Sequence, residues 1–144
     1  MKILVINGPN MNMLGIRQPE IYGKATYVDL KNMIRAEAET MGVDVDFFQS
    51  NCEGALVDAI QQAYFDGVDG IVINPAAYTH TSVALLDAVK AVGIPTVEIH
   101  VSDPDTREEF RHVSYIRAAC VGTIRGHGLN GYLEALHLLC DPKD

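Results

Sequence analysis

Two residue pairs in the chain have types and spacings suited to proton transfer. Arg17 lies five positions before Tyr22, in a loop from Gly8 to Ala25 that is about twice the usual connection length and so fits a binding loop or lid. A phenol with a pKa near 10 is about one-thousandth ionised at pH 7, a deficit of roughly 4 kcal/mol for a base. A guanidinium about 4 Å away, at an effective dielectric near 20, supplies a term of that size. The second pair is Glu98 and His100. Two positions apart on a strand they share a face, so the carboxylate can orient and charge the imidazole, as a general acid needs. A hydrogen-bonded structural histidine is the plainer alternative.

Further polar residues cluster at comparable points. Asn10 follows the first apolar run, and Asn74 opens the segment Asn74-Pro75-Ala76-Ala77-Tyr78-Thr79-His80-Thr81. That segment sets an amide, hydroxyls and the His80 imidazole before a helix N-terminus, where backbone donors are unsatisfied. Thr79 or Thr81 can serve there simply as an N-cap. Arg107-Glu108-Glu109-Phe110-Arg111 reads either as a solvated turn or as the source of an arginine that holds an oxyanion.

Other chemistries fit poorly. His80, His100, His112, His127 and His137 lack HxxH or HExxH spacing, and no cysteine accompanies them, so no metal is expected. None of the five lysines falls at a strand carboxyl end, which argues against a Schiff base. There is no GxSxG elbow for a serine nucleophile. No cofactor is expected.

The elements that must position these residues alternate in type. Strands are expected at Lys2 to Asn7, Val43 to Phe48, Gly70 to Asn74, Pro95 to Val101 and Ala119 to Ile124. The first and third are continuous apolar runs, as in parallel strands buried on both faces. The second alternates with aspartates, as near a sheet edge. Helices are expected from Thr26, which forms a capping box with Asp29, to Met41 before Gly42, and then over Ala55 to Phe65, Thr81 to Val92 and Gly128 to Cys140. The pattern predicts an α/β fold: a flavodoxin-like, doubly wound sheet of five parallel strands in the order 2-1-3-4-5, with helices on both faces. In such sheets ligands bind outside the strand carboxyl ends, and Asn10, Asn74, Glu98 and His100 all map to that rim.

Composition agrees. The 144 residues suit one catalytic domain, 1–144. With 48% hydrophobic residues the chain can bury a core. A formal charge of −8 leaves no basic face for nucleic acid. The apolar runs are too short to span a membrane, and the initial one is too short for a secretory signal. Cys52, Cys120 and Cys140 form no CxxC pair and are expected to be packing residues in a reducing compartment, so a cytoplasmic protein is expected.

Taken together, the motifs resemble the type II 3-dehydroquinate dehydratases, or type II dehydroquinases, over nearly the whole chain. The pieces are Gly8 to Gly15 with Arg17, Pro19, Tyr22 and Gly23; Ser50-Asn51 with Glu53-Gly54; Asn74 through Ser82; Glu98-Ile99-His100; and Arg107 to Arg111. The resemblance implies anti elimination of water from 3-dehydroquinate to 3-dehydroshikimate, in the shikimate or quinate pathway. It implies that Tyr22, activated by Arg17, takes the proton beside the ketone, that a water held by Asn10 stabilises the enolate, and that His100, oriented by Glu98, protonates the departing hydroxyl. It further implies that Asn74, His80 and Arg111 hold ring hydroxyls, that the backbone of Val101 and Ser102 receives the carboxylate, and that Asp87 reaches a neighbouring subunit's site in a dodecamer built from trimers. Removing a proton beside a carbonyl requires a base, an enolate stabiliser and an acid, and each role has a candidate. Gly15 and Gly23 are expected hinges of a lid.

The chain departs from the family pattern in places. Ala76 replaces a usual glycine, Leu86 and Ala91 replace an arginine and an acid, and Asp103 and Asp105 bring extra negative charge near the carboxylate site. Arg125 and His127 are also unusual. A flavin-binding module of the same topology lacks its phosphate loop, because Pro9 offers no N–H where donors are needed. A response-regulator switch lacks its acids, since Asn7 and Asn74 stand in their places.

Overall fold

The computed structural model describes residues 1–16 and 18–141, with the Tyr22 side chain excepted. Arg17 and that side chain, both expected at the site, lie outside the described residues. Five parallel strands form one sheet in the order β2-β1-β3-β4-β5, as expected. They are β1 (Lys2–Asn7), β2 (Asp44–Gln49), β3 (Gly70–Asn74), β4 (Thr96–His100) and β5 (Gly122–Arg125). Between and after them run α1 (Pro19–Tyr22), α2 (Tyr27–Met41), α3 (Glu53–Phe65), α4 (Val83–Val92) and α5 (Asn130–Cys140).

Alternation along the strands builds two cores, one per face. Ile3, Val5, Val72, Val97 and Ile99 face α2 and α5, meeting Leu30, Ile34, Tyr132 and Leu136. Ile6, Ile71 and Ile73 face α3 and α4, meeting Leu56, Ile60, Leu85 and Val89. β3 and β4 are buried throughout, whereas Asp44 and Asp46 of edge strand β2 are exposed.

The expected capping box is present: Thr26 Oγ1 accepts from the Asp29 N–H at 3.1 Å, and the Asp29 carboxylate accepts from the Thr26 N–H at 2.9 Å. Other boundaries shift for local reasons. Residues Ala76–His80 coil into a 3-10 helix, so α4 starts at Val83 and its cap is Ser82, whose Oγ accepts from the Leu85 N–H at 3.0 Å. Neither Thr79 nor Thr81 caps it, and the buried Thr79 hydroxyl has no hydrogen-bond partner among the described residues. Another 3-10 helix, over Ile116–Ala119, delays β5 to Gly122, and β5 then runs one residue further than expected, to Arg125. Cys120 and Cys140 pack against the two cores, but Cys52 is exposed and precedes α3, so packing does not describe it. Burial, ahead of the Glu98 charge, pushes the Cys120 thiol up to about 12. No helix among the described residues is long and apolar enough to cross a membrane.

Candidate active site

The strand carboxyl ends bring together segments far apart in sequence. The loops after β1 and β3 touch backbone to backbone: the Gly8 N–H donates to the Asn74 carbonyl at 2.8 Å. A Cβ on Gly8 would lie 2.4 Å from the Pro75 oxygen, so only glycine fits there. Asn10 takes a left-handed conformation (φ 70°), and its N–H donates to Asn51 Oδ1 at 3.0 Å, which ties the loop to the end of β2.

These loops and the one after β4 enclose a cavity of about 260 Å³. Seven residues anticipated from sequence line it: Asn10, Asn74, His80, His100, Val101, Ser102 and Arg111. Arg107 lines it too, and among the described residues no aspartate or glutamate does. Two arginines, two imidazoles and no acid make a cavity suited to an anion, in a chain whose net charge is −8.

Glu98 sits beneath this cavity and is fully buried. Its Oε2 is 2.5 Å from His100 Nε2 and accepts from the Ser114 hydroxyl at 2.6 Å. Its Oε1 accepts from Arg117 Nε at 2.9 Å and from the Thr123 hydroxyl at 3.0 Å. Burial alone would raise the Glu98 pKa, but the hydrogen bonds from His100, Arg117 and Ser114 outweigh it and hold the carboxyl at about 2. An ionised carboxylate only accepts, so His100 Nε2 carries the proton of that bond and Nδ1 is the nitrogen it leaves available. The expectation that Glu98 and His100 share a strand face is met.

His80 is held differently. Its Nδ1 lies 2.7 Å from the Val113 carbonyl, which can only accept, so Nδ1 carries a hydrogen and Nε2 is left over. Partial burial, reinforced by the charges of His100 and Arg111, keeps its pKa below the usual 6.5, against the opposing pull of Val113 and Glu98. The ring is therefore neutral at pH 7, with Nε2 able to accept a hydrogen bond from a hydroxyl.

Asn74 is more committed to the protein than the sequence suggested. Its Nδ2 donates to the Tyr132 hydroxyl at 3.0 Å and to Met11 Sδ at 3.4 Å, and its Oδ1 accepts from the Ala76 N–H at 3.0 Å. One lone pair on Oδ1 is left for a ligand. Tyr132 in turn donates to Asn7 Oδ1 at 2.5 Å, joining β1, β3 and α5 beneath the rim. Arg111 lines the cavity with its Nε 2.6 Å from Glu108. Asp87 is exposed on α4 and is not among the lining residues. Gly15 and Gly23 adopt positive φ, 87° and 79°.

Sequence reasoning missed Ser114, Arg117, Thr123 and Tyr132. None belongs to a local motif, and each reaches the site only because the sheet brings β5, the 3-10 turn before it and α5 alongside β4 and β3.

Comparison with known proteins decides the family. The model of the class II dehydroquinases matches residues 1–140. The chain belongs to that family. Among its relatives, the 3-dehydroquinate dehydratase of Caldicellulosiruptor bescii is 54% identical over 143 residues, covering 99% of each chain. The 3-dehydroquinate dehydratase of Lachnospira eligens is 54% identical over 142 residues, covering 98% of this chain and 97% of the other. The crystal structure of the type II dehydroquinase from Butyrivibrio crossotus superposes with a TM-score of 0.95 at 53% identity, covering 96% of this chain and 97% of that one. The type II dehydroquinase from Propionibacterium acnes gives 0.92 at 43% identity, with coverage of 96% and 94%. The chain thus shares the fold of these type II dehydroquinases over 96% of its length.

Proposed function

We propose that this dehydroquinase, acting as one catalytic domain, carries out the reversible anti elimination of water from 3-dehydroquinate to 3-dehydroshikimate, a step of the shikimate or quinate pathway. The observation that carries the reading is the Glu98–His100 pair opening into a cavity lined by Arg107, Arg111 and His80. In this reading Tyr22, its phenol acidified by Arg17, takes the proton from the carbon beside the ketone. The electron pair moves to the ketone oxygen, and the enolate is stabilised through a water held by Asn10. His100, protonated also at Nδ1, then gives the Nδ1 proton to the departing hydroxyl, which leaves as water while the conjugated enone forms.

Substrate placement uses the rest of the rim. The neutral Nε2 of His80, the free lone pair of Asn74 and the Arg111 guanidinium face the ring hydroxyls, while the backbone at Val101 and Ser102 takes the carboxylate. Asp87, exposed on α4, serves the neighbouring subunit of a trimer, and trimers assemble into a dodecamer in the cytoplasm. No step calls for a metal, a Schiff base or another cofactor. The test is to mix the protein with 3-dehydroquinate and follow the ultraviolet absorbance of the enone, with and without a chelator. Growth of the signal in both is expected. No signal would defeat the substrate assignment, and loss with chelator would defeat the metal-free mechanism.

A further inference from the structure

Asp103 and Asp105 flank Pro104 in the loop after β4, where Val101, Ser102 and Pro104 line the cavity and the two aspartates do not. Their carboxylates meet Arg125 instead. Arg125 Nη1 is 2.6 Å from Asp105 Oδ2, and its Nε is 3.9 Å from Asp103 Oδ1. Strand register explains the approach: Arg125 is the β5 partner of His100, and paired residues of parallel strands project from the same face. The segments after the two strands are also joined along the backbone, from the Gly126 N–H to the His100 carbonyl at 3.3 Å and from the Gly128 N–H to the Val101 carbonyl at 3.0 Å. A Cβ on Gly126 would sit 3.2 Å from that of Asp103, so the loops are in close contact.

We propose that Arg125 is an affinity-setting residue: it offsets the charge of Asp103 and Asp105, so that the loop receiving an anionic substrate presents only a small net negative charge to it. The inference rests on the substrate carrying a carboxylate, as in the function proposed above. Stability is a poor reason for the trio, because the three side chains are 37–41% exposed and such pairs add little. Charge is the better reason. Two aspartates without their cation would lie within about a Debye length of the cavity, in a chain already at −8.

The test compares wild type, Arg125→Gln, Asp103→Asn with Asp105→Asn, and the triple variant, reading KM and kcat for 3-dehydroquinate at low and high salt. Arg125→Gln is expected to raise KM about three- to tenfold at low salt with kcat unchanged, and the excess should shrink at high salt. The triple variant is expected to return KM to within about twofold of wild type, because the uncompensated acids are gone. An unchanged KM in Arg125→Gln, or an equally raised KM in the triple variant, overturns the inference while the function stands. A wild type silent toward 3-dehydroquinate overturns the functional reading and this inference with it.

Discussion

Arg117 Nε lies 2.9 Å from Oε1 of Glu98, nineteen residues away in sequence, and is the guanidinium that pairs with this fully buried carboxylate. Glu98 contacts no ligand space. It orients His100, and its charge is tolerable in the interior because Arg117, Ser114, Thr123 and His100 all donate to it. The acid of the proposed mechanism is therefore supported by a residue that no local motif marks.

Replacing Arg117 by Met should leave a buried carboxylate without its cation. Such losses cost about 3–5 kcal/mol, and the 35% exposure of Arg117 argues for roughly 2–4 kcal/mol. Urea unfolding of wild type and Arg117→Met measures this directly, and Arg117→Lys should recover part of the loss.

The depressed pKa of Glu98 fixes a pH window. Its folded value of about 2 lies below the ordinary 4.5, so the native state binds this proton less readily than the unfolded chain. The resulting stability is fully present above pH 4.5 and is lost as pH falls from 4.5 toward 2. The stability gap between wild type and Glu98→Gln should shrink over that interval, as read by denaturant midpoints at a series of pH values.

Much of the fold was legible because it rests on local pattern. The apolar runs Lys2–Asn7 and Gly70–Asn74 are strands with the expected bounds, and Thr26 with Asp29 forms the expected box. Strand-end position sufficed to place Asn10, Asn74 and His100 on one rim. The start of α4 was misjudged because three hydroxyl residues compete as caps, and only Ser82 has the extended backbone and the Leu85 N–H within reach. Tyr132 belongs to no local motif within α5. Its hydroxyl acquires meaning only when α5 crosses Asn7 and Asn74, which lie 125 and 58 residues away.

Tyr132→Phe should expose the cost of that crossing. Removing the hydroxyl takes the Tyr132 donor from Asn7 Oδ1, at about 1–3 kcal/mol for a stranded buried group, and leaves Asn74 Nδ2 only the weaker Met11 Sδ acceptor. Thermal or chemical unfolding should show a clear loss of stability, with a fall in kcat that reflects the looser rim.

Ala76 holds φ at 54°, a left-handed conformation costly for a residue with a Cβ. Ala76→Gly should therefore raise stability by roughly 1 kcal/mol, since it relieves this strain and leaves the Ala76 N–H bond to Asn74 in place. A lowered melting temperature would show that the Ala76 methyl contributes more through packing than it costs in strain.

The base remains the centre of the account. The decisive measurement is the rate at which wild type and Tyr22→Phe convert 3-dehydroquinate to the absorbing enone, with folding of the variant checked by its melting temperature. Loss of the phenol should lower kcat about a hundred- to ten-thousandfold while the protein stays folded. A folded Tyr22→Phe that turns over as fast as wild type would contradict it.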